Sequence, residues 1–314
     1  MKTITTTSAA PAQDPAPQAL ATRRPRKFTV RRAVRVLWIL PALALYGTFV
    51  LYPLTQGIRF SFYDWDGVGV ATPAGFENYT RIFTQPEFLS AIGHAFILII
   101  FFSIVPVFLG LLVAAIMREL KPGPFSTTAR VVLFLPQVMP LAGAGIAWTW
   151  MYSENGVVNQ ILRGVGLGAL AKPWLGDFAS ALSAVGFIGS WVALGLCTML
   201  LLAGIGKIDH SFYEAAQIDG AGPVRQFFAI TLPSLRRELV VCVTVTVIAA
   251  LASFDVIFVT TNGGPGFETM VPSVFVYRLA FVDNQVGQAS ALAIFLAILI
   301  LAVILPLQRL SKED

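Results

Sequence analysis

Six stretches of this chain carry no Asp, Glu, Lys or Arg: residues 36–58, 88–117, 131–153, 178–206, 239–254 and 284–308. Apolar side chains dominate each of them. All but the fifth exceed the roughly 20 residues that a helix needs to cross a hydrocarbon core. The fifth is interrupted by Asp255 alone and stays apolar to Val259. The pattern predicts an all-α integral membrane protein with six transmembrane helices, a membrane domain over residues 36–308. Several spans hold helix breakers, with Pro41 and Pro53 in the first, Pro106 in the second, and Pro136, Pro140, Gly143 and Gly145 in the third. Such residues suit close helix approach and local opening where a cavity is lined.

Between the fourth and fifth runs lies a polar interruption, SFYEAAQIDGAGPVRQFFAITLP, from Ser211 to Pro233. Ser211 followed by Glu214 fits a capping box. Glu214, Ala215, Ala216 and Gln217 are mostly good helix formers. Gly220 supplies a stop where a left-handed residue is wanted. Pro223 suits the first turn of a second helix, because that amide is unpaired in any case. Leu232-Pro233 closes the segment. Two short helices joined at Gly220-Ala221-Gly222 would form a compact knob, although composition alone equally describes an ordinary connecting loop.

Composition and charge then orient the chain. It is 56% hydrophobic and 12% charged, with mean hydropathy +0.74, whereas soluble domains are about a quarter charged. Of the 22 Lys and Arg, eight lie in the tail through Arg35, three in 118–130, four in 207–238 and two after residue 308. The alternate segments hold only Arg59, Arg81, Arg163, Lys172 and Arg278. That bias places both termini and the 207–238 loop in the cytosol. Residues 1–35 read as a basic cytosolic tail, disordered at its start, where Thr, Ala, Pro and Gln leave little to pack. The cluster from Arg23 to Arg35 fits either an anionic-lipid contact or a plain topology determinant. Residues 309–314 read as a short cytosolic tail. The net charge of +5 follows from membrane topology and calls for no nucleic acid. Cys197 and Cys242 lie within apolar runs and read as packing residues.

Candidate passage residues lie in the fourth and fifth spans. The fourth holds Ser183, Ser190, Trp191 and Thr198, polar enough to face other helices or a passage. In the fifth, Thr246, Ala250, Ser253 and Ile257 recur at i, i+4, i+7 and i+11, one face of a helix. Asp255, beside Phe254, lies about 24 Å from the start of that span at 1.5 Å per residue. A central charge costs roughly 2.5–3.5 kcal/mol on insertion scales, so cavity lining, pairing or direct ligation are its open readings. Thr261-Asn262-Gly263-Gly264-Pro265 predicts a chain reversal. Trp148, Trp150 and Tyr152 fit an interfacial belt or stacking on a sugar face. His94 reads as interfacial.

Glu214-Ala215-Ala216, Gly220, Ile230 and Leu232-Pro233 together resemble the EAA motif of binding-protein-dependent ABC transporter permeases. The resemblance implies that the knob is a coupling helix docking on a cytosolic ATPase, with Asp219 and Glu214 as charged contacts and Ala215, Ala216, Gly220 and Gly222 allowing close approach. Tyr63-Asp64-Trp65 and Gly75 through Tyr79 are similar to the family's first periplasmic loop. Ser253-Phe254-Asp255 through Pro265, with Tyr277-Arg278 and Ala280-Phe281, resemble the carbohydrate-importing permeases of the maltose and glycerol-3-phosphate type. The chain lacks the maltose-type relative's extra spans and large insert, so it resembles the shorter six-span type. The implied substrate passage comprises Trp191, Thr246, Ala250, Ser253, Phe254 and Asp255, although Ala250 offers no side-chain hydrogen bond. The implied partners are a second permease forming a heterodimer, a cytosolic ATPase dimer, an extracytoplasmic sugar-binding protein and membrane lipid, in a bacterial cell membrane.

No GxxxxGK[ST] is present, since Gly206-Lys207 is followed by Ile208. ATP and Mg are therefore expected on the partner ATPase, with no cofactor bound by this chain and no catalysis of its own. An ATP-independent secondary transporter or channel would need intramembrane ion-coupling groups, for which Asp255 is the one strong candidate. A membrane enzyme would need clustered acid, base or metal-ligating residues, and the two histidines lie far apart. Co-purification with an ATPase separates the first reading from the other two.

Overall fold

The computed structural model describes residues 30–309 apart from Pro122. The tails expected over 1–35 and 309–314 lie outside the described residues, except for 30–35 and Arg309, which are helical. Packing divides the chain into two units, Met1–Tyr52 and Pro53–Asp314.

In the first unit, helix α1 (Val30–Tyr46) runs into one π-helical turn, Gly47–Leu51. None of its side chains from Trp38 to Leu51 is buried, and Trp38 is 82% exposed. Exposed apolar side chains on a helix suit lipid or another chain.

The second unit opens with α2 (Tyr52–Phe60) and a short antiparallel ribbon of β1 (Tyr63–Asp64) and β2 (Thr72–Pro73), paired Tyr63 to Pro73. Then come α3 (Glu77–Thr84), the long α4 (Pro86–Glu119), α5 (Pro124–Val138), α6 (Leu141–Met151) and α7 (Val157–Gly164). The central α8 (Ala181–Ile205) is followed by α9 (His210–Ile218) and α10 (Pro223–Gln226). Last are α11 (Arg236–Leu251), α12 (Asp255–Thr260), α13 (Pro272–Phe281) and α14 (Val286–Arg309).

Helix α8 is the hub, packed against both α4 and α5. Two glycines make this possible. A Cβ on Gly110 would stand 2.9 Å from the Cys197 Cβ, and one on Gly195 would collide with the Leu133 carbonyl. Small residues of this kind let helix backbones approach closely where lipid supplies no hydrophobic driving force. Cys197 and Cys242 are both buried in the cluster formed with Leu201, Ile205 and Leu235, as packing residues would be.

Among the described residues, four helices can cross a membrane by length and composition, over Trp38–Phe60, Pro86–Glu119, Ala181–Ile205 and Val286–Arg309. A fifth crossing is made if α5 and α6 count as one span, bent by 100°. The expected count was six, and the difference has two local causes. Met139 is extended (φ −76°, ψ 136°) because the ring of Pro140 disfavours a helical predecessor, so the third expected span is sharply bent. The fifth expected span breaks after Leu251. Ala252, Ser253 and Phe254 leave helical geometry before α12 begins. The Ser273 hydroxyl donates to the Ser253 carbonyl, satisfying a backbone group freed by the break, as an apolar setting demands. The 16 residues of α11 rise about 24 Å, short of the roughly 30 Å hydrocarbon thickness.

Candidate functional site

The knob folds much as its residues direct. Helix α9 ends at Ile218, and Gly220 takes the left-handed conformation (φ +74°). The Gly220 and Ala221 amides return to the carbonyls of Gln217 and Ala216 at 3.0 and 2.8 Å, closing the helix C-terminus. Gly222 then leads into Pro223 at the first turn of α10. One π-helical turn, Phe227–Thr231, carries the chain to Leu232–Ser234. The N-terminal cap differs from the expected capping box. Asp209 caps α9 by accepting from the Ser211 amide at 3.0 Å, and this bond holds its carboxyl below the ordinary range. Ser211 lies inside the helix, while Glu214 pairs with His210 at 3.0 Å. Asp209 captures the amides first because it precedes the helix with an extended backbone, which Ser211 does not.

The polar candidates Glu214 and Asp219 are exposed, as are Ala215, Gly220, Gly222 and Pro233, while Ala216, Ile230 and Leu232 are half-buried. Sequence reasoning missed the apolar part of this surface. Phe212, Ile218, Val224 and Phe228 are all exposed, Ile218 by 87%. A helical-wheel inspection of 210–218 and 223–228 would have found them, since no core position accounts for so many large apolar groups.

The passage candidates are distributed differently. Thr246 is buried and donates to Ser103 Oγ on α4 at 2.7 Å. Ala250 and Ser253 are also buried, and among the described residues the Ser253 hydroxyl has no hydrogen-bond partner. Trp191 is half-buried and meets Trp148 edge-on at 5.6 Å. Phe254 is half-buried and Asp255 is exposed at the start of α12. The expected single helical face through Thr246, Ala250, Ser253 and Ile257 is not formed, because α11 stops at Leu251 and the chain redirects. The break brings together rings that the sequence reading did not group. Phe254 stacks on Phe258 at 5.0 Å, Phe258 meets Tyr277 at 4.9 Å, and Tyr277 meets Phe281 at 5.3 Å. The predicted reversal is present, with Asn262 and Gly263 at positive φ.

At the other end of α8 the segments are closed upon themselves. Asn78 is buried, donating to the Ser61 and Tyr63 carbonyls at 3.0 and 2.9 Å, and Tyr79 reaches Ser61 at 2.8 Å. His94 Nδ1 donates to the Met270 carbonyl at 2.9 Å, tying α4 to the loop before α13. Trp148 and Tyr152 are buried while Trp150 is exposed.

The knob's geometry and the EAA residues on it can be set beside known proteins. A family described as "Binding-protein-dependent transport system inner membrane component" matches residues 106–312. The chain belongs to this family. It is an ABC transporter permease, a multi-pass component of the inner membrane, and its family transports rather than catalyses. It is 34% identical to the diacetylchitobiose uptake system permease protein NgcF of Streptomyces coelicolor, over 95% of this chain and 88% of that one. The sulfoquinovosyl glycerol transport system permease protein SmoG of Agrobacterium fabrum is 32% identical, covering 88% and 91%. The multiple sugar-binding transport system permease protein MsmF of Streptococcus mutans is 29% identical, covering 91% and 99%. In fold, the permease superposes with TM-score 0.77 on the crystal structure of a bacterial ABC transporter involved in the import of alginate, at 23% identity over 90% of this chain and 96% of that one. A second structure of an alginate transporter, in complex with an alginate pentasaccharide-bound periplasmic protein, gives 0.75 at the same identity.

Proposed function

We propose that this permease is one half of a heterodimeric channel that imports a sugar or oligosaccharide at the expense of ATP hydrolysed elsewhere. The observation that carries the reading is the knob, a helix-glycine-helix unit bearing the EAA residues and a bare apolar surface. Phe212, Ile218, Val224 and Phe228 stand exposed around it, as they would on one side of a protein interface whose other side is a partner. A dimeric ATPase carrying ATP and Mg is that partner, and the Lys and Arg distribution supports a cytosolic knob with both chain termini on the same side. The bare side chains of α1 offer a surface to the second permease. A binding protein outside the cell delivers the substrate, and the relatives' substrates support a sugar. Exposed Asp255 and half-buried Phe254 and Trp191 would meet it, with the buried Thr246, Ala250 and Ser253 as further passage candidates. ATP drives the cycle by binding one conformation better than the other, since equal affinity would shift nothing.

The test is uptake by proteoliposomes that contain the permease pair and the ATPase, supplied with loaded binding protein. Accumulation of labelled oligosaccharide is expected only with ATP and Mg inside the compartment the knob faces. Accumulation by the purified chain without any nucleotide hydrolase would overturn the reading.

A further inference from the structure

The first helix of the knob is anchored by one buried side chain. Helix α9 has a single buried residue, Tyr213, 2% exposed. Its hydroxyl shares a 2.9 Å hydrogen bond with the buried Thr231 hydroxyl, at the far end of the knob. Its ring is covered by Arg118, whose guanidinium carbon lies 3.5 Å from the ring centroid. Arg118 stands in the last turn of α4, a helix long and apolar enough to cross a membrane. Beside this stack lies a cavity of about 480 Å³, lined by residues that include Leu112, Ile116, Val224 and Phe228. The end of α4 and the second half of the knob are therefore not packed flush where they face each other, while Arg118, at the edge of this gap, is in close contact with Tyr213 of the first half.

A displacement passes from one helix to another only through contacts that do not yield. A loosely bordered cavity yields, because its walls lack partner atoms on one side. A guanidinium laid flat on an aromatic ring holds its geometry, and it gains strength where water is partly excluded. Arg118 is only 23% exposed, and its acidic neighbour Glu119, 3.8 Å away, is 73% exposed, a weak competitor. Tyr213 in turn joins both halves of the knob through Thr231, so a push on either half reaches the ring.

We propose that Arg118 and Tyr213 form the joint through which movement of the knob is passed to α4, with Arg118 a positioning residue for transport. The proposal rests on the reading of the knob as the ATPase docking element. Its readout is substrate transported per ATP hydrolysed, in the reconstituted complex with both permeases, ATPase and binding protein. Arg118→Ala is expected to leave hydrolysis within about twofold of the wild type and to lower the transport ratio about tenfold, the range of a partly desolvated cation–ring contact. Tyr213→Leu is expected to do the same. Arg118→Lys keeps the charge and loses the flat stack, so it is expected to lower the ratio about threefold. A wild-type ratio in the Arg118→Ala complex overturns the proposal. So does a fall of hydrolysis and transport in step, which is what a merely structural residue would give. If Arg118→Ala fails to assemble, Arg118→Lys decides by the same criterion. Failure of the underlying reading looks different, because the wild-type chain itself would then retain no ATPase.

Discussion

The segments at the two ends of α8 are alike in length and differ in how they are held. Residues 153–180, before α8, close on a single buried amide. Asn159 reaches the carbonyls of Ser153, Glu154 and Lys172 at 3.0, 3.2 and 2.9 Å and accepts from the Lys172 amide and the Trp174 indole. Lys172 and Asp177 pair at 2.7 Å across the same loop. Residues 207–235, after α8, leave four large apolar side chains bare and bury one residue of α9. The first segment gathers its polar groups on this amide, although it too leaves large apolar side chains bare, among them Val157, Ile161, Val165 and Phe178. The second is held instead by the buried Tyr213–Thr231 hydroxyl pair. A buried polar hub makes a connection part of the subunit's stability, whereas exposed side chains on a connection contribute little to it.

If that contrast is right, substitutions in the two segments should fail in different assays. The largest effect is expected from Gly220→Asp, which puts a charged side chain at a left-handed position (φ +74°) on the exposed turn of the knob. Uptake should drop to background while membrane insertion and expression are unchanged. Normal ATP-coupled uptake by a well-expressed variant would remove the turn from the docking surface. Next is Asn159→Ala, which strips the partners from several buried groups at once. A loss of about 2–4 kcal/mol should appear as a lower melting temperature of the purified permease, with transport per folded molecule intact. An unchanged melting temperature would show that the loop is not held by this amide.

Ile218→Ser should do the reverse of Asn159→Ala. Stability should stay within about 0.5 kcal/mol, as for other exposed positions, while the affinity for the ATPase falls about tenfold. Equal capture of the ATPase by wild type and variant would exclude Ile218 from the interface. The smallest effect concerns acid. Hydrogen bonds from Lys172 and Ser180 hold Asp177 below the ordinary carboxylate range. A carboxylate with a depressed folded pKa stabilises above its unfolded value, about 3.9, and loses that contribution as pH falls through the folded value. Melting temperature should therefore decline below about pH 4, and Asp177→Asn should flatten that limb.

Much of the knob was legible because its signals are local. Gly220 marks a left-handed turn and Pro223 a helix start by virtue of their own backbones, and both stand where expected. The cap was misassigned by two residues, since Ser211 and Asp209 both suit the position and only the backbone geometry decides between them. The passage was less legible. Spacing put Thr246, Ala250 and Ser253 on one face by assuming a helix that continues, whereas the chain turns at Ala252, with the Ser273 side chain, 20 residues further on, bonding the freed Ser253 carbonyl.

Charge spacing and apolar run length settled on their own that the chain lives in a membrane, because insertion depends on transfer energies summed along a segment. The EAA residues did the same for the family. What only the tertiary structure decided is where helices break and which side chains meet. Tyr213 and Arg118 are far apart in the sequence and carry no shared pattern, yet they stack at 3.5 Å. Such contacts come from how separate helices cross, and helix crossing is fixed by packing over the whole subunit rather than by any one stretch of residues.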